Sequence, residues 1–168
     1  MNLYFGISHG DISEQIAELL NAYNNLAQRR CGADIASSKI GYVVETHGKN
    51  VIAACGLEKQ SYTLTELKHL VVTEGWRKKG VGKFVVKRAL TICETPLVYA
   101  TVREDNTSSL NLLSSVGFHK AGEYPAEGHR VLMLARTTPK WQKNPDWKLT
   151  SYSVPITGMM MPGFTPTS

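Results

Sequence analysis

The sequence predicts a mixed α/β fold, a twisted central β-sheet flanked by helices, and three observations predict it. Short apolar runs suited to strands alternate with segments whose apolar residues recur at helical spacing. A strand meets a helix at a glycine turn, within Arg77-Lys78-Lys79-Gly80-Val81-Gly82. The 168 residues, 42% hydrophobic and 20% charged, provide enough chain for one core.

Taken in order, residues 1–8 read as a short strand, and Asp11 and Glu14 have the spacing of a capping box opening a helix. Ile12, Ile16, Leu19, Leu20, Tyr23 and Leu26 mark its buried side, with a stop near Arg30 to Gly32. Residues 40–45 and 51–57 form two strands joined around His47-Gly48-Lys49-Asn50, and residues 64–72 form a third. Val81, Phe84, Val85, Ala89 and Ile92 place a helix after the glycine turn. Residues 97–102 are a continuous apolar run, as in a strand covered on both faces. Asn106 precedes a helical pattern of Leu110, Leu112, Leu113 and Val116 that ends in Gly117-Phe118. Residues 118–124 and 130–135 form the last pair, joined by Pro125-Ala126-Glu127-Gly128.

After Ala135 the composition shifts. Trp141, Trp147, Tyr152, several prolines and Met159-Met160-Met161 follow with no sustained period, which predicts an irregular C-terminal extension. The chain thus divides into a domain over residues 1–136 and a tail over 137–168. Aromatic and methionine residues in such a tail fit an arm that docks on its own domain, on a second subunit to make a homodimer, or on a macromolecular partner.

The glycine turn carries the functional information. A helix start leaves backbone N–H groups unpaired at the positive end of the helix dipole, and glycines let a ligand approach them, so the junction suits phosphate. A Walker loop is excluded because Val81 and Gly82 stand where Lys and Ser or Thr belong. A dinucleotide fingerprint fails at Val85, its third glycine position. What remains is Arg/Gln-x-x-Gly-x-Gly/Ala, complete in Arg77, Gly80 and Gly82. Here the chain resembles the GNAT superfamily of acyl-CoA N-acyltransferases. The flanks agree in order and spacing: Val72 lies five residues before Arg77, and Leu97 to Val102, Asn106 and Gly117-Phe118 follow. The likeness covers roughly residues 1–136 in element order and is motif-specific from about Leu64 to Phe118.

The resemblance implies a GNAT-like sheet, acetyl-CoA as co-substrate, and transfer of its acetyl group to a primary amine in a ternary complex. It implies that Leu70, Val71 and Val72 present backbone groups to the pantetheine arm and thioester. Arg77, Lys78, Lys79, Gly80, Val81 and Gly82 would hold the pyrophosphate, and Asn106 would contact the coenzyme arm, with a plain helix N-cap as its other role. Glu66, eleven residues before Arg77, has the offset of the general base in the histone-acetylating branch; a strand-face carboxylate beside Lys68 is the competing reading.

A base is worth having, because a lysine amine of pKa about 10.4 is neutral only about 0.04% of the time at pH 7, a cost of about 4.6 kcal/mol. The second requirement is a group to protonate the departing thiolate, and here the sequence departs from the family: Leu113 stands where many relatives have Tyr. An alkyl thiol of pKa about 8.5 leaves without a dedicated acid at tolerable cost, and Ser114, Tyr99 or Tyr124 are the substitutes. No Cys or Ser stands in a nucleophile motif, so no covalent intermediate is expected. The rival reading is a non-catalytic module that keeps the coenzyme pocket or docks a protein.

The remaining features are bounded more loosely. A net charge of +5, with Arg77, Lys78, Lys79, Lys83, Lys87 and Arg88 clustered, raises nucleic acid as a partner, but placement at the glycine turn favours the smaller phosphates of coenzyme A. Cys31, Cys55 and Cys93 are widely spaced and read as reduced thiols, with no metal site expected. No membrane-spanning run or secretory signal is read, so the expected location is cytoplasmic, without membrane partners. His69 reads as structural, on the opposite strand face from Glu66 unless a bulge intervenes. His129, Tyr124 and Glu127 lie where relatives often shape the acceptor pocket. The acceptor, a protein or a small amine, is not specified by the sequence.

Overall fold

The computed structural model describes residues 9–24, 28–139, 147–156 and 159–166. The strand expected over residues 1–8, Leu26 and Trp141 lie outside them. The elements are α1 (His9–Tyr23), α2 (Gly32–Ser37), β1 (Gly41–His47), β2 (Asn50–Lys59), β3 (Leu64–Val72), a 3-10 turn (Glu74–Trp76), α3 (Val81–Ile92), β4 (Leu97–Arg103), α4 (Thr107–Ser115), β5 (His119–Ala126), β6 (His129–Thr137), β7 (Trp147–Ile156) and β8 (Met159–Pro166). Six strands form one sheet in the order β1-β2-β3-β4-β6-β5, and β7 and β8 pair as a separate antiparallel ribbon. The mixed α/β sheet with helices is thus present as the sequence reads it.

Two compact units make up the chain, one from Met1–Glu58 and Lys68–Ala89, the other from Lys59–Leu67 and Leu90–Ser168. The division runs through β3. In the first unit, β1 and β2 pair antiparallel with His47 opposite Asn50, so Gly48 and Lys49 alone make the turn, with Gly48 at φ 62°. Ile12, Ile16, Leu19 and Leu20 of α1 and Ile35 of α2 pack with Tyr42, Val44, Val51, Ala54 and Val71 in one apolar cluster.

The N-terminal details differ from expectation. Helix α1 starts at His9, so Asp11 lies inside its first turn, and Glu14 accepts instead from the Gly32 amide at 2.8 Å. α1 stops at Tyr23, which is 39% exposed, and not near Arg30. The Asn21 side chain holds the Arg30 backbone through two hydrogen bonds, 2.7 and 2.9 Å, fixing the approach to the short helix α2. There the Asp34 carboxylate accepts from the Cys31 amide at 2.8 Å, which holds that carboxyl below its usual range.

In the second unit, β4 pairs in parallel with the start of β3, Leu64 to Glu66 lying opposite Leu97 to Tyr99, and antiparallel with β6. A buried polar chain ties this region together: Thr138 Oγ1 donates to the Thr95 carbonyl and Thr95 Oγ1 to Thr65 Oγ1, both at 2.7 Å. The end of α4 explains the Gly-Phe pair. Gly117 has φ 86°, its amide donates to Ser114 O and the Phe118 amide to Leu113 O, and the Phe118 ring is buried at 2% exposure. The Arg136 guanidinium donates to the Val116 carbonyl beside it.

The tail over 137–168, read as irregular, contains β7 and β8, with β8 beside β5. Their register shifts between Thr150 and Val154, and the apolar residues of β7 change phase there, from Trp147 and Leu149 to Tyr152, Val154 and Ile156. That slip removes the alternation a strand reading needs.

Candidate acyl-donor site

The loop from Val72 to Gly82 lies within the first unit and is shaped by local bonds. Thr73 leaves β3 with both its amide and hydroxyl donating to Ile52 O, at 2.9 and 2.8 Å. Trp76 and Arg77 amides then close a tight turn on Thr73 and Glu74 carbonyls. Arg77 Nε donates back to Val72 O at 3.1 Å, and its guanidinium lies 4.9 Å from the centroid of the Tyr23 ring. Lys78 and Gly80 adopt left-handed backbone, φ 60° and 83°, which turns the chain into α3.

Phe84 N donates to Gly80 O at 3.0 Å, making Gly80 the residue before the first helical turn. The amides of Gly80, Val81, Gly82 and Lys83 therefore have no carbonyl partner within the helix. A Cβ placed on Gly80 would meet nothing within 4 Å, so the open side of this turn is free for a ligand. Arg77, Lys78, Lys79 and Lys83 are all exposed around it, and Gly82 is buried beneath. Four amides at the positive end of a helix dipole, ringed by cations, have the electrostatic character that suits a multiply charged anion. Leu70, Val71, Val72 and the six residues 77–82 are thus brought together in one unit.

Glu66 and Asn106 belong to the second unit. Glu66 is half-buried and accepts from Gln60 Nε2 at 3.2 Å, while Lys68 pairs with Glu58 at 2.7 Å. Asn106 caps α4, its Oδ1 accepting from the Ser109 amide at 3.1 Å, so the cap role is present. Leu113 is buried at 2% exposure. His129 Nδ1 donates to the Glu127 carbonyl at 2.8 Å, and Tyr124 is half-buried. Arg88 pairs with Glu45 at 3.3 Å, which gives it a structural use on the polar side of α3.

His69 departs from a regular strand: its φ is 55°, and its Nδ1 lies 2.6 Å from the Tyr42 hydroxyl. Burial first, then the charges of Arg30 and Lys68 against that of Glu58, push its pKa down to about 4. Burial also pushes the Tyr42 phenol up to about 12 and the Cys55 thiol up to about 12. A concavity of about 380 Å³, which sequence reasoning missed, is lined by Thr46, His47, Trp76, Lys79, Gly80 and Phe84. Its aromatic wall has His47 and Trp76 rings 4.9 Å apart, and only the position of Trp76 inside the glycine turn signals it in the sequence. Among the described residues no three His, Cys, Asp or Glu side chains group to hold a metal ion, and no helix is long and apolar enough to cross a membrane.

Strand, left-handed loop and helix start together make an α/β junction whose exposed side is rich in amides and cations. Residues 13–118 match the family described as Acetyltransferase (GNAT) family, and the chain belongs to it. A Mycobacterium leprae protein, "Uncharacterized protein ML0378", is 28% identical over 71% of this chain and 31% of its own length. "N-alpha-acetyltransferase RimI" of Mycobacterium tuberculosis is 27% identical over 53% of this chain and 58% of its own. The chain thus spans about a third and less than two thirds of these relatives. An aminoglycoside 6'-N-acetyltransferase solved in complex with coenzyme A shares the fold, with TM-score 0.63 and 15% identity over 75% of this chain and 90% of that one.

Proposed function

We propose that this chain is an N-acetyltransferase, moving an acetyl group from acetyl-CoA to a primary amine by direct attack in a ternary complex. The observation that carries the reading is the open turn at Gly80, where four unpaired amides and four exposed cations suit the coenzyme pyrophosphate. The related Mycobacterium tuberculosis protein named as an N-alpha-acetyltransferase and the coenzyme A-bound relative support the same donor.

In this reading residues 1–136 form the transferase domain. Leu70 to Val72 present backbone groups to the pantetheine arm, and an N–H near Val72 polarises the thioester carbonyl. Asn106 contacts the arm in addition to capping α4. Glu66 removes the ammonium proton, the amine nitrogen bonds to the carbonyl carbon, the C–S bond breaks, and coenzyme A departs as thiolate to take up a proton. The acceptor is a protein or small-molecule amine, with a nucleic-acid amine the less favoured class. The protein works in the cytoplasm, and its tail docks on its own domain, on a second copy as a homodimer, or on the acceptor.

Calorimetric titration with acetyl-CoA tests the donor site, with Gly82→Glu as control because it places a carboxylate at the buried heart of the turn. Saturable binding lost in the variant supports the reading; absence of binding in the wild type overturns it. Leu113, buried where many relatives carry an acid, favours one second reading, a coenzyme-binding module without turnover. Binding without acetylation of any amine in a panel of peptides, polyamines and aminoglycosides would establish that reading instead.

A further inference from the structure

We infer that Tyr42 is a positioning residue for the acyl-donor site: its hydrogen bond to His69 holds the left-handed backbone that sets the course of Leu70 to Val72 into the phosphate loop. The inference rests on the acetyl-CoA reading above.

Left-handed backbone disfavours any residue with a Cβ, and His69 adopts it at φ 55° inside β3, so its surroundings must hold it there. The Tyr42 hydroxyl meets Nδ1 at 2.6 Å, and the two rings lie nearly parallel, 14° apart, with centroids separated by 6.0 Å. Tyr42 is a rigid anchor, 8% exposed and part of the apolar cluster that also contains Val71. The charged groups that act on His69 are Arg30 and Lys68, both cationic, and Glu58, with burial the largest influence. Burial and the two cations outweigh Glu58 and keep the ring neutral at pH 7, so Nδ1 has a lone pair to accept the phenolic proton.

Downstream of His69 the chain is fixed again. Thr73 is tied twice to Ile52 O, and Val72 O accepts from Arg77. The three residues between these anchors, Leu70, Val71 and Val72, follow directly on His69, so the way the chain leaves it bears on their peptide orientations together with the pairing of β3 to β2. Those are the backbone groups assigned to the pantetheine arm and thioester. Tyr42 thus acts on the donor without touching it.

The test uses the full chain and acetyl-CoA titrated by calorimetry. Tyr42→Phe keeps the ring and deletes the hydroxyl; it should weaken binding about three- to tenfold, the range one hydrogen bond spans. Glycine adopts φ 55° without help, so Tyr42→Phe combined with His69→Gly should return affinity to within about twofold of wild type. An unchanged Kd in Tyr42→Phe overturns the inference, as does a double variant no tighter than Tyr42→Phe alone. Where Tyr42→Phe melts below the assay temperature, His69→Ala against His69→Gly decides: alanine should bind several-fold more weakly, and equal affinities overturn the inference. Wild type that fails to bind acetyl-CoA removes the coenzyme reading itself and this inference with it, an outcome distinct from wild-type binding with indifferent variants.

Discussion

Lowering the pH from 7 to 5 should destabilise the wild type through His69, and the amount follows from the environment of its ring. Its pKa falls from 6.5 to about 4, chiefly by burial and then by Arg30 and Lys68. The fold therefore prefers the neutral imidazole. The unfolded chain takes up a proton near pH 6.5 while the folded chain resists until about 4, so the stabilisation is complete above 6.5 and drains away as pH falls toward 4. Taken whole, that displacement amounts to about 3 kcal/mol, but the ring is only half-buried and solvent screening reduces it to about 1 to 2 kcal/mol. About half of the reduced amount, roughly 0.5 to 1 kcal/mol, should be gone by pH 5. Urea unfolding of wild type and His69→Gln at pH 7, 6 and 5 measures it as a stability difference that narrows on acidification. The carboxyls of Asp34, Asp105 and Glu123 are held below their usual range by partners other than His69, so their contributions cancel in the comparison. Parallel pH profiles for the two proteins would refute the reasoning.

Three further outcomes are expected. Gly80→Val should lower the unfolding free energy by about 1 to 2 kcal/mol from backbone conformation alone, since φ is 83° and the added atoms meet open space; an unchanged urea midpoint contradicts this. Once an acceptor is found, Glu66→Gln should reduce kcat by about 100-fold or more at pH 7 and leave acetyl-CoA affinity within about twofold; full turnover removes Glu66 as the base. Thr95→Val should cost about 1 to 3 kcal/mol in chemical denaturation, because it deletes a hydroxyl that donates to Thr65 Oγ1 from a residue only 1% exposed, while the Thr138 bond to the Thr95 carbonyl stays; a loss under 0.5 kcal/mol, roughly, argues that Thr65 finds another partner.

Much of the frame was legible because it depends on local patterns. The strand over residues 64–72 and a helix beginning near Val81 are legible, since alternation, glycine and a run of cations fall together there. Gly117 and Phe118 carry a stop signal whose geometry is local. What escaped depends on distant partners. Helix α2, six residues long with Ile35 as its buried apolar side chain, offers too little periodicity to read, and its start is fixed by Glu14, eighteen positions earlier. Tyr23 was assigned to the core by spacing, but its ring supports the Arg77 guanidinium. The left-handed turn at His69 has no marker in the sequence because its partner is on another strand.

The burial of Leu113 has a consequence for how this chain changes. Its side chain fills the interior, and its carbonyl receives the amides of both Val116 and Phe118. A tyrosine introduced there would have to force a larger ring into packed space and disturb the stop of α4 at the same time. Direct substitution at this position is therefore a costly way to supply an acid near a departing sulfur. Another side chain, such as the exposed Ser114, or Tyr99 or Tyr124, would have to supply it.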